Sequence, residues 1–317
     1  MHDTRTAAAH RRKVTLRDIR RLLLRDRCPC ASSLLRARSP AVIACRMHDD
    51  LIRQMVATDK PVGVFDSGVG GLSVLRALRQ ELPHEHFLYV GDSGCAPYGD
   101  RSAEFVIARA IAISEFLVSQ NAKAIVVACN TATAAAVESL RARFVLPIVA
   151  IEPAVKPAAS RTRSRVVGVL ATTGTLAGPN VGKLLANYGS DVEFVIQPSP
   201  GLANQVELGE LASDETRALV ARYVRPMVEK GADIVVLGCT HYPFIRAMIQ
   251  EAAGPAVEVI DPAAPVAREL RRRLESAGLL NDAAVTGTEQ FRTTGAVEMV
   301  GPIVRQLWGK TVEVMPL

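Results

Sequence analysis

Aromatic side chains and long apolar runs are both scarce in this chain of 317 residues. Phe, Trp and Tyr make up only 4% of the sequence, and no apolar run reaches 18 residues although 49% of the residues are hydrophobic. Without such a run the sequence offers no membrane-spanning helix of ordinary length, so we expect no membrane partner. The basic residues are not interleaved with aromatic ones, which argues against a surface for stacking RNA bases.

The net charge of +6 is unevenly distributed along the chain. Residues 1–60 hold 14 Lys and Arg against 6 Asp and Glu, whereas residues 61–317 hold 24 against 26. The body of the protein is therefore close to neutral. The pI of about 9.1 belongs to the whole chain and gives no reason to expect a nucleic-acid partner.

Residues 1–54 form a basic extension, which we expect to be disordered or absent from the native product, with translation starting at Met47 or Met55. Arginines interrupt its apolar stretches, so no signal-peptide core of about 7–15 apolar residues can form. An organelle transit peptide is the alternative. Outside this extension the chain has Cys95, Cys129 and Cys239. An odd number of cysteines suits reduced thiols in a cytoplasmic protein.

Cys129 follows a short apolar run, residues 124–128, that predicts a strand buried on both faces of a parallel sheet. An alanine-rich helix is predicted from Thr131 onward. The thiol would then lie at the carboxyl end of a strand, where open α/β sheets bind their ligands. We expect the neighbouring helix N-terminus to lower its pKa. Taken alone, such a cysteine is more often a small buried apolar residue.

A second cysteine repeats this pattern 110 residues later. An apolar run ends in Cys239, Thr240 and His241, and a helix is predicted over 244–253. Three further pairs recur in the same order at offsets of 105 to 109, namely Gly63 with Gly168, Phe87 with Phe194 and Ile151 with Ile260. Internal repeats of this kind indicate similar structural units.

We therefore predict an α/β fold of two pseudo-symmetric parallel-sheet domains with the active site in the cleft between them. The first half spans residues 55–157 and the second spans 158–262. Residues 263–317 are expected to pack back on the first half.

A nucleotide site is one alternative, because Gly68-x-Gly70-x-x-Ser73 follows a predicted strand and opens a predicted helix. Asp92 lies close to where a ribose-binding acid is expected. Against this interpretation, the third glycine of the motif is missing. Asp66 also stands at the strand end, where a pyrophosphate would be repelled.

Residue types and their spacing also bear on zinc and pyridoxal phosphate sites. Cys129, Cys239 and His241 could supply soft zinc ligands, but residues 61–317 contain none of the paired Cys or His spacings typical of zinc sites. The strand-end motifs contain no lysine for a Schiff base. We expect neither a metal nor a cofactor.

Two thiols that face one carbon atom from opposite sides suit the inversion of a stereocentre. One sulfur, as a thiolate, removes a proton from the Cα of an amino acid, and the other, as a thiol, delivers a proton to the opposite face. Asp66 and His241, one in each half, are the candidates to assist these transfers.

Five motifs surround the candidate residues: VFDSGVGGLS (64–73), GD and PYG (91–99), VACNTA (127–132), PGL and VELG (200–209), and LGCTHYP (237–243). Together they resemble the motifs of bacterial glutamate racemases in the aspartate/glutamate racemase superfamily. The resemblance implies a cofactor-independent enzyme of two α/β domains that interconverts L- and D-glutamate. It also implies a role in supplying D-glutamate for peptidoglycan.

The same resemblance implies roles for individual residues. Cys129 and Cys239 match the two acid/base residues, Asp66 and His241 match residues that assist them, and Glu207 matches a nearby carboxylate. The substrate-binding pairs match Asp66-Ser67, Tyr98-Gly99, Asn130-Thr131 and Thr240-His241. An aspartate racemase or another two-cysteine isomerase remains the alternative, since the sequence does not give the shape of the pocket. A small-molecule substrate is the expected partner, and a homodimer is left open.

Overall fold

The computed structural model describes residues 57–188 and 191–317. Ten strands in this part of the chain form two sheets in which each pairing is parallel. They are β1 (Val62–Asp66), β2 (Phe87–Gly91), β3 (Ala124–Val127), β4 (Ile148–Ala150), β5 (Val166–Ala171), β6 (Glu193–Pro198), β7 (Ile234–Gly238), β8 (Glu258–Ile260), β9 (Glu289–Thr293) and β10 (Val314–Pro316). The basic extension, residues 1–54, lies outside the described residues.

The two sheets repeat one strand order. The six-stranded sheet runs β10-β9-β2-β1-β3-β4, and the four-stranded sheet runs β6-β5-β7-β8. The order β2-β1-β3-β4 of the first therefore corresponds strand by strand to the second. Even the register agrees, since Val62 lies opposite Phe87 and Val167 lies opposite Phe194. The predicted fold of two similar parallel-sheet α/β domains is confirmed.

Helices connect the strands and cover the sheets. They are α1 (Leu72–Glu81), α2 (Ala103–Ser119), α3 (Asn130–Arg143), α4 (Val155–Arg161), α5 (Thr173–Leu176), α6 (Pro179–Tyr188), α7 (Leu202–Glu207), α8 (Asp214–Glu229), α9 (Arg246–Ala253), α10 (Ala263–Ser276) and α11 (Val297–Trp308). Within the described ranges, no helix has the length and apolar character to cross a membrane.

The helix predicted over 244–253 begins later than expected, at Arg246. The preceding residues Tyr242–Ile245 form a 3-10 turn. The amides of Tyr242 and Phe244 donate to carbonyls three residues back instead of four. Pro243 has no amide to donate, which favours this tighter start.

The repeated glycines Gly63 and Gly168 allow close packing between a helix and the middle of each sheet. A Cβ on Gly63 would lie 2.9 Å from Leu117 of α2, and one on Gly168 would lie 2.7 Å from the sulfur of Met227 of α8. The strands around them are almost completely buried, as expected of parallel sheets covered on both faces. The largest apolar cluster includes residues of both sheets, so the two halves share part of their core.

Residues after 262 contribute to the six-stranded sheet. Strand β9 pairs with β2 along its whole length, and β10 pairs with β9. Helix α10 packs on α1, where Arg271 forms an ion pair of 2.6 Å with Glu81.

Candidate active site

The two cysteines lie at equivalent places in the two halves. Strands β3 and β7 occupy the same position in the repeated order, and Cys129 and Cys239 follow just beyond their carboxyl ends. Cys129 is the N-cap of α3, and its sulfur accepts the amide of Ala132 at 3.4 Å. Both side chains are buried, with 4% and 7% exposed.

One cavity brings most of the predicted site residues together. Nine of the eleven line it: Ser67, Tyr98, Gly99, Cys129, Asn130, Thr131, Cys239, Thr240 and His241. Most of these residues follow strand ends of the two sheets, whereas Tyr98 and Gly99 belong to the 3-10 turn Tyr98–Asp100. The cavity measures about 10 Å³, near the minimum that a single water molecule needs. Both sulfurs therefore border the same small space.

Asp66 and Glu207, the other two predicted residues, do not line the cavity, but each hydrogen-bonds to a residue that does. Asp66 Oδ2 accepts the hydroxyl of Thr240 at 3.1 Å. Glu207 Oε1 lies 2.5 Å from Nε2 of His241 and also accepts the amide of Val69 at 2.8 Å. The bonds to Thr240 and Val69 each join one half to the other.

The glycine-rich turn after β1 makes room for these side chains. A Cβ on Gly68 would lie 1.8 Å from Glu207 Oε1, and one on Gly70 would lie 2.3 Å from Nδ1 of His241. The amides of Gly68 and Val69 donate to the carboxylates of Asp66 and Glu207. The amides that a pyrophosphate would need are therefore bonded to protein carboxylates, which argues against a nucleotide site.

Burial dominates the electrostatics of Cys129. Loss of solvent raises the pKa of the Cys129 thiol above its ordinary value, and the neighbouring charge of Asp66 raises it further. The amide of Ala132 and the hydroxyl of Ser67, 3.7 Å from the sulfur, act in the opposite direction but do not compensate. The expectation that the helix N-terminus leaves this pKa lowered is wrong, because desolvation outweighs it.

His241 is the basic partner beside the other thiol. Its Nδ1 lies 3.5 Å from the sulfur of Cys239. Burial alone would lower the pKa of His241, but Cys239 and Glu207 together raise it well above the ordinary 6.5. Burial also raises the pKa of Asp66, an effect that the charge of His241 partly offsets. The described site thus favours an imidazolium between a sulfur and a carboxylate.

A metal would have to compete with this ion pair. Among the described residues, ligand atoms of Asp66, Glu207 and His241 lie within 4.8 Å of one another. The close contact between Glu207 and Nε2 of His241 already occupies that ring nitrogen. Cys129 and Cys239, two of the three candidate zinc ligands, do not belong to this group, whereas His241 does.

Three threonine hydroxyls join the two halves beside the cavity. Thr131 lies 2.9 Å from Thr172 and 3.1 Å from Thr175, which are themselves 2.9 Å apart. Thr172 lines the cavity, as do Pro97 and Ala203, and these three were missed from the sequence. The repeat contained the signal for Thr172, because the offset between Gly63 and Gly168 aligns Thr172 with Ser67.

Asn130 is the polar lining residue whose hydrogen-bonding capacity is unused. Its side chain is 3% exposed, and neither its amide nitrogen nor its oxygen has a protein partner. Buried amides are rarely left unsatisfied. This one is therefore suited to bind a polar ligand in the cavity.

Two like α/β halves with a thiol at the same strand end of each are the arrangement that the sequence predicted for an amino-acid racemase. The sequence model of the Asp/Glu/hydantoin racemase family matches residues 63–270, and the chain belongs to this family. The predicted enzyme class, an amino-acid racemase, is confirmed by this family match and by relatives that are named glutamate racemase.

The chain is similar to glutamate racemases along most of their length. It is 50% identical to that of Methylococcus capsulatus over 263 residues, 83% of this chain and 97% of the relative. It is 49% identical to that of Pseudomonas aeruginosa over 256 residues, 80% and 96% of the two chains.

Solved structures agree with the sequence comparison. A glutamate racemase isoform of Bacillus anthracis superposes with a TM-score of 0.75 at 33% identity, covering 81% of this chain and 97% of that one. The Escherichia coli glutamate racemase, in complex with L-glutamate and an activator, gives 0.71 at 30% identity with the same coverage.

Proposed function

We propose that this protein is a cofactor-independent glutamate racemase that inverts Cα by proton transfer between Cys129 and Cys239. The observation that carries the proposal is that both thiols, at equivalent strand ends, line one cavity. The relatives named as glutamate racemases support the substrate. So do related structures of the Escherichia coli enzyme with L-glutamate and the Francisella tularensis enzyme with D-glutamate, the latter 26% identical with a TM-score of 0.72.

The two thiols have the asymmetry that such a reaction requires. In the proposed mechanism Cys239, whose sulfur lies 3.5 Å from the ring of His241, acts as the thiolate, whereas burial and the charge of Asp66 raise the pKa of Cys129 and keep it as a thiol. The thiolate takes the Cα proton, and the electron pair left behind delocalises into the substrate carboxylate. The thiol on the other face then gives its proton to Cα. The sulfurs exchange protonation states, and the product has the opposite configuration.

Neutral polar groups are proposed to hold the substrate. The lining residues include the hydroxyls of Ser67 and Thr131 and the unpaired amide of Asn130, but no lysine or arginine. Such groups can bind the substrate carboxylates beside the imidazolium of His241, whereas the hydrogen of the Thr240 hydroxyl is donated to Asp66. The product D-glutamate would serve peptidoglycan synthesis.

The direct test is to incubate the purified protein with L-glutamate in D2O without added cofactor. Circular dichroism follows inversion, and the Cα proton signal in NMR follows exchange with solvent. Loss of ellipticity together with deuterium incorporation supports the proposal. Turnover of aspartate but not glutamate would keep the two-thiol mechanism and replace the substrate, and inertness towards both would overturn the proposed function.

A further inference from the structure

A buried carboxylate outside the proposed acid/base set binds four donors at the edge of the site. Asp92 follows the last residue of β2 and is completely buried. Its Oδ1 accepts Arg109 at 2.7 Å and the Thr294 hydroxyl at 2.6 Å. Its Oδ2 accepts Arg109 at 2.8 Å and the Tyr98 hydroxyl at 2.5 Å. Because these donors occupy both oxygens, Asp92 cannot serve as a ribose ligand.

These hydrogen bonds join three separate segments. Arg109 belongs to α2, Thr294 follows β9, and Tyr98 begins the 3-10 turn Tyr98–Asp100. The amide of Gly94 also donates to the hydroxyl of Thr294, at 3.1 Å. The loop between Asp92 and Tyr98 is thereby fixed at both ends by the same carboxylate.

The turn at Tyr98 forms one wall of the cavity. Tyr98 and Gly99 both line it. Gly99 faces the second half so closely that a Cβ on it would lie 3.0 Å from Thr172. The carbonyl of Gly99 would lie 2.9 Å from a Cβ on Gly174 of α5. A small displacement of the turn would therefore change the width of the cavity.

The hydroxyl of Tyr98 can donate only one hydrogen bond, which limits its role in the site. A tyrosine hydroxyl has one hydrogen to donate, and an ionised carboxylate can only accept. The hydrogen of Tyr98 is therefore committed to Asp92 and is not available to a substrate carboxylate. Tyr98 and Gly99 therefore contribute to the site by forming one side of the cavity and by their backbone groups, not by the phenol hydrogen.

We propose that Asp92 is a positioning residue of the active site, which holds Tyr98 and thereby fixes the wall formed by Tyr98 and Gly99. This inference rests on the proposed racemase function for its kinetic consequence. Its structural consequence, the fixed wall beside Cys129, does not depend on the identity of the substrate.

Glu85 provides a matched control at the other end of the same strand. It precedes β2 by two residues, is buried, and forms an ion pair of 2.6 Å with Lys123. Glu85→Gln and Asp92→Asn each neutralise one buried, paired carboxylate at an end of β2. Only Asp92 contacts a residue that lines the cavity.

The kinetic test measures kcat and KM for both enantiomers of glutamate in Asp92→Asn, Tyr98→Phe, the double variant and Glu85→Gln. We expect KM to rise about tenfold in each of the first two variants, the effect of one charge-assisted hydrogen bond, with kcat changed less than about threefold. The double variant should resemble the worse single variant, because both lose the same bond. Glu85→Gln should lower the unfolding temperature and leave KM unchanged.

The second readout is the rate at which iodoacetamide alkylates Cys129, followed by mass spectrometry. Displacement of the wall should raise this rate about tenfold in Asp92→Asn and leave it unchanged in Glu85→Gln. An Asp92→Asn protein that matches Glu85→Gln in alkylation and KM, or single effects on KM that multiply in the double variant, would overturn the positioning role. A wild-type protein inactive on glutamate would overturn the proposed function instead, and the alkylation rates would still decide the role of Asp92.

Discussion

At the scale of single residues, the two thiols differ in their neighbours although their places in the fold are equivalent. Cys129 has Asp66 close by, and its pKa is raised by burial and by this charge. Cys239 has the ring of His241 at 3.5 Å, backed by Glu207. Cys129 thus has an acidic and a hydroxyl neighbour, whereas Cys239 has an imidazole ring backed by a carboxylate. A pair of thiols with identical surroundings would lack this built-in difference.

Cys129→Ala and Cys239→Ala should each abolish racemisation, with kcat reduced by at least about 10² to 10⁴-fold, the usual contribution of one general acid or base. Each variant retains one sulfur, which can remove a proton and return a deuteron on the same face. Each should therefore still exchange the Cα proton of one enantiomer in D2O, and the two variants should prefer opposite enantiomers. NMR of the separate enantiomers measures this exchange.

Cys95→Ala is the matched control, since this half-buried thiol does not line the cavity. It should retain wild-type turnover. Normal racemisation in either of the other two cysteine variants would contradict the two-thiol mechanism.

The raised pKa of His241 predicts a pH dependence of stability. Below pH 6.5 the histidine is protonated in both the folded and the unfolded protein, so its contribution to the free energy of unfolding is fully present. As the pH rises from 6.5 towards the higher pKa of the folded state, only the unfolded chain releases the proton, and this contribution is lost. Chemical denaturation at pH 6 to 9 should therefore show a larger loss of stability in the wild type than in His241→Asn. Parallel pH profiles of the two proteins would show that His241 does not hold an extra proton when folded.

At the scale of the elements, the turn after β1 shows why the glycines of its motif are needed. The sequence pattern left open a nucleotide-binding turn, but the atoms that approach Gly68 and Gly70 most closely belong to Glu207 and His241. The turn brings the backbone of the first half against acid/base side chains of the second half. Its glycines therefore belong to the proposed catalytic apparatus rather than to a phosphate site.

Gly70→Ala should reduce kcat/KM about 100-fold, because the new methyl group would overlap His241 and displace it by a large fraction of an ångström. Gly182→Ala is the matched control: it lies in α6 with no atom within 4 Å of the new Cβ. It should retain activity and gain about 0.5–1 kcal/mol of stability, as alanine does in a helix interior. Steady-state racemisation and thermal unfolding measure both effects. Wild-type kinetics in Gly70→Ala would mean that His241 can move without consequence.

The elements that the sequence predicts well are those set by local pattern. The apolar runs before Cys129 and Cys239 predicted two buried parallel strands, and the repeated pairs predicted that their sheets would be alike. Contacts between the halves could not be predicted in the same way. The hydrogen bond from Val69 to Glu207 joins residues 138 positions apart, and it depends on how two finished domains pack. The pKa of Cys129 was wrongly expected for a similar reason, since the sequence shows the helix N-terminus but not the depth of burial.

At the scale of the whole molecule, the two halves are held closely around the cavity. The bonds of Thr240 to Asp66, of Val69 to Glu207 and of Thr131 to Thr172 all cross from one half to the other. A cavity of about 10 Å³ is far smaller than an amino acid. Substrate binding therefore requires residues around the cavity to move apart, and their closure around the substrate would exclude water from the reacting carbon.

Deletion of residues 1–54, so that the chain starts at Met55, should leave both racemisation and thermal unfolding unchanged. The alignment with the Methylococcus capsulatus enzyme uses 97% of that protein but 83% of this chain. That relative thus has no counterpart for most of the residues of this chain that lie outside the alignment. The described contacts of the site also begin only after residue 60.

A slightly longer deletion provides the control that makes this result informative. The ammonium of Lys123 is buried and donates to the carbonyl of Thr58 as well as pairing with Glu85. A chain that starts at Pro61 loses that carbonyl and leaves a buried donor short of one acceptor, which costs about 1–3 kcal/mol of stability. The shorter chain should unfold at lower temperature and lower denaturant concentration, whereas the chain from Met55 should not. If the chain from Met55 were equally destabilised, residues 1–54 would contribute to the folded domain, and the domain boundary proposed at residue 55 would be wrong.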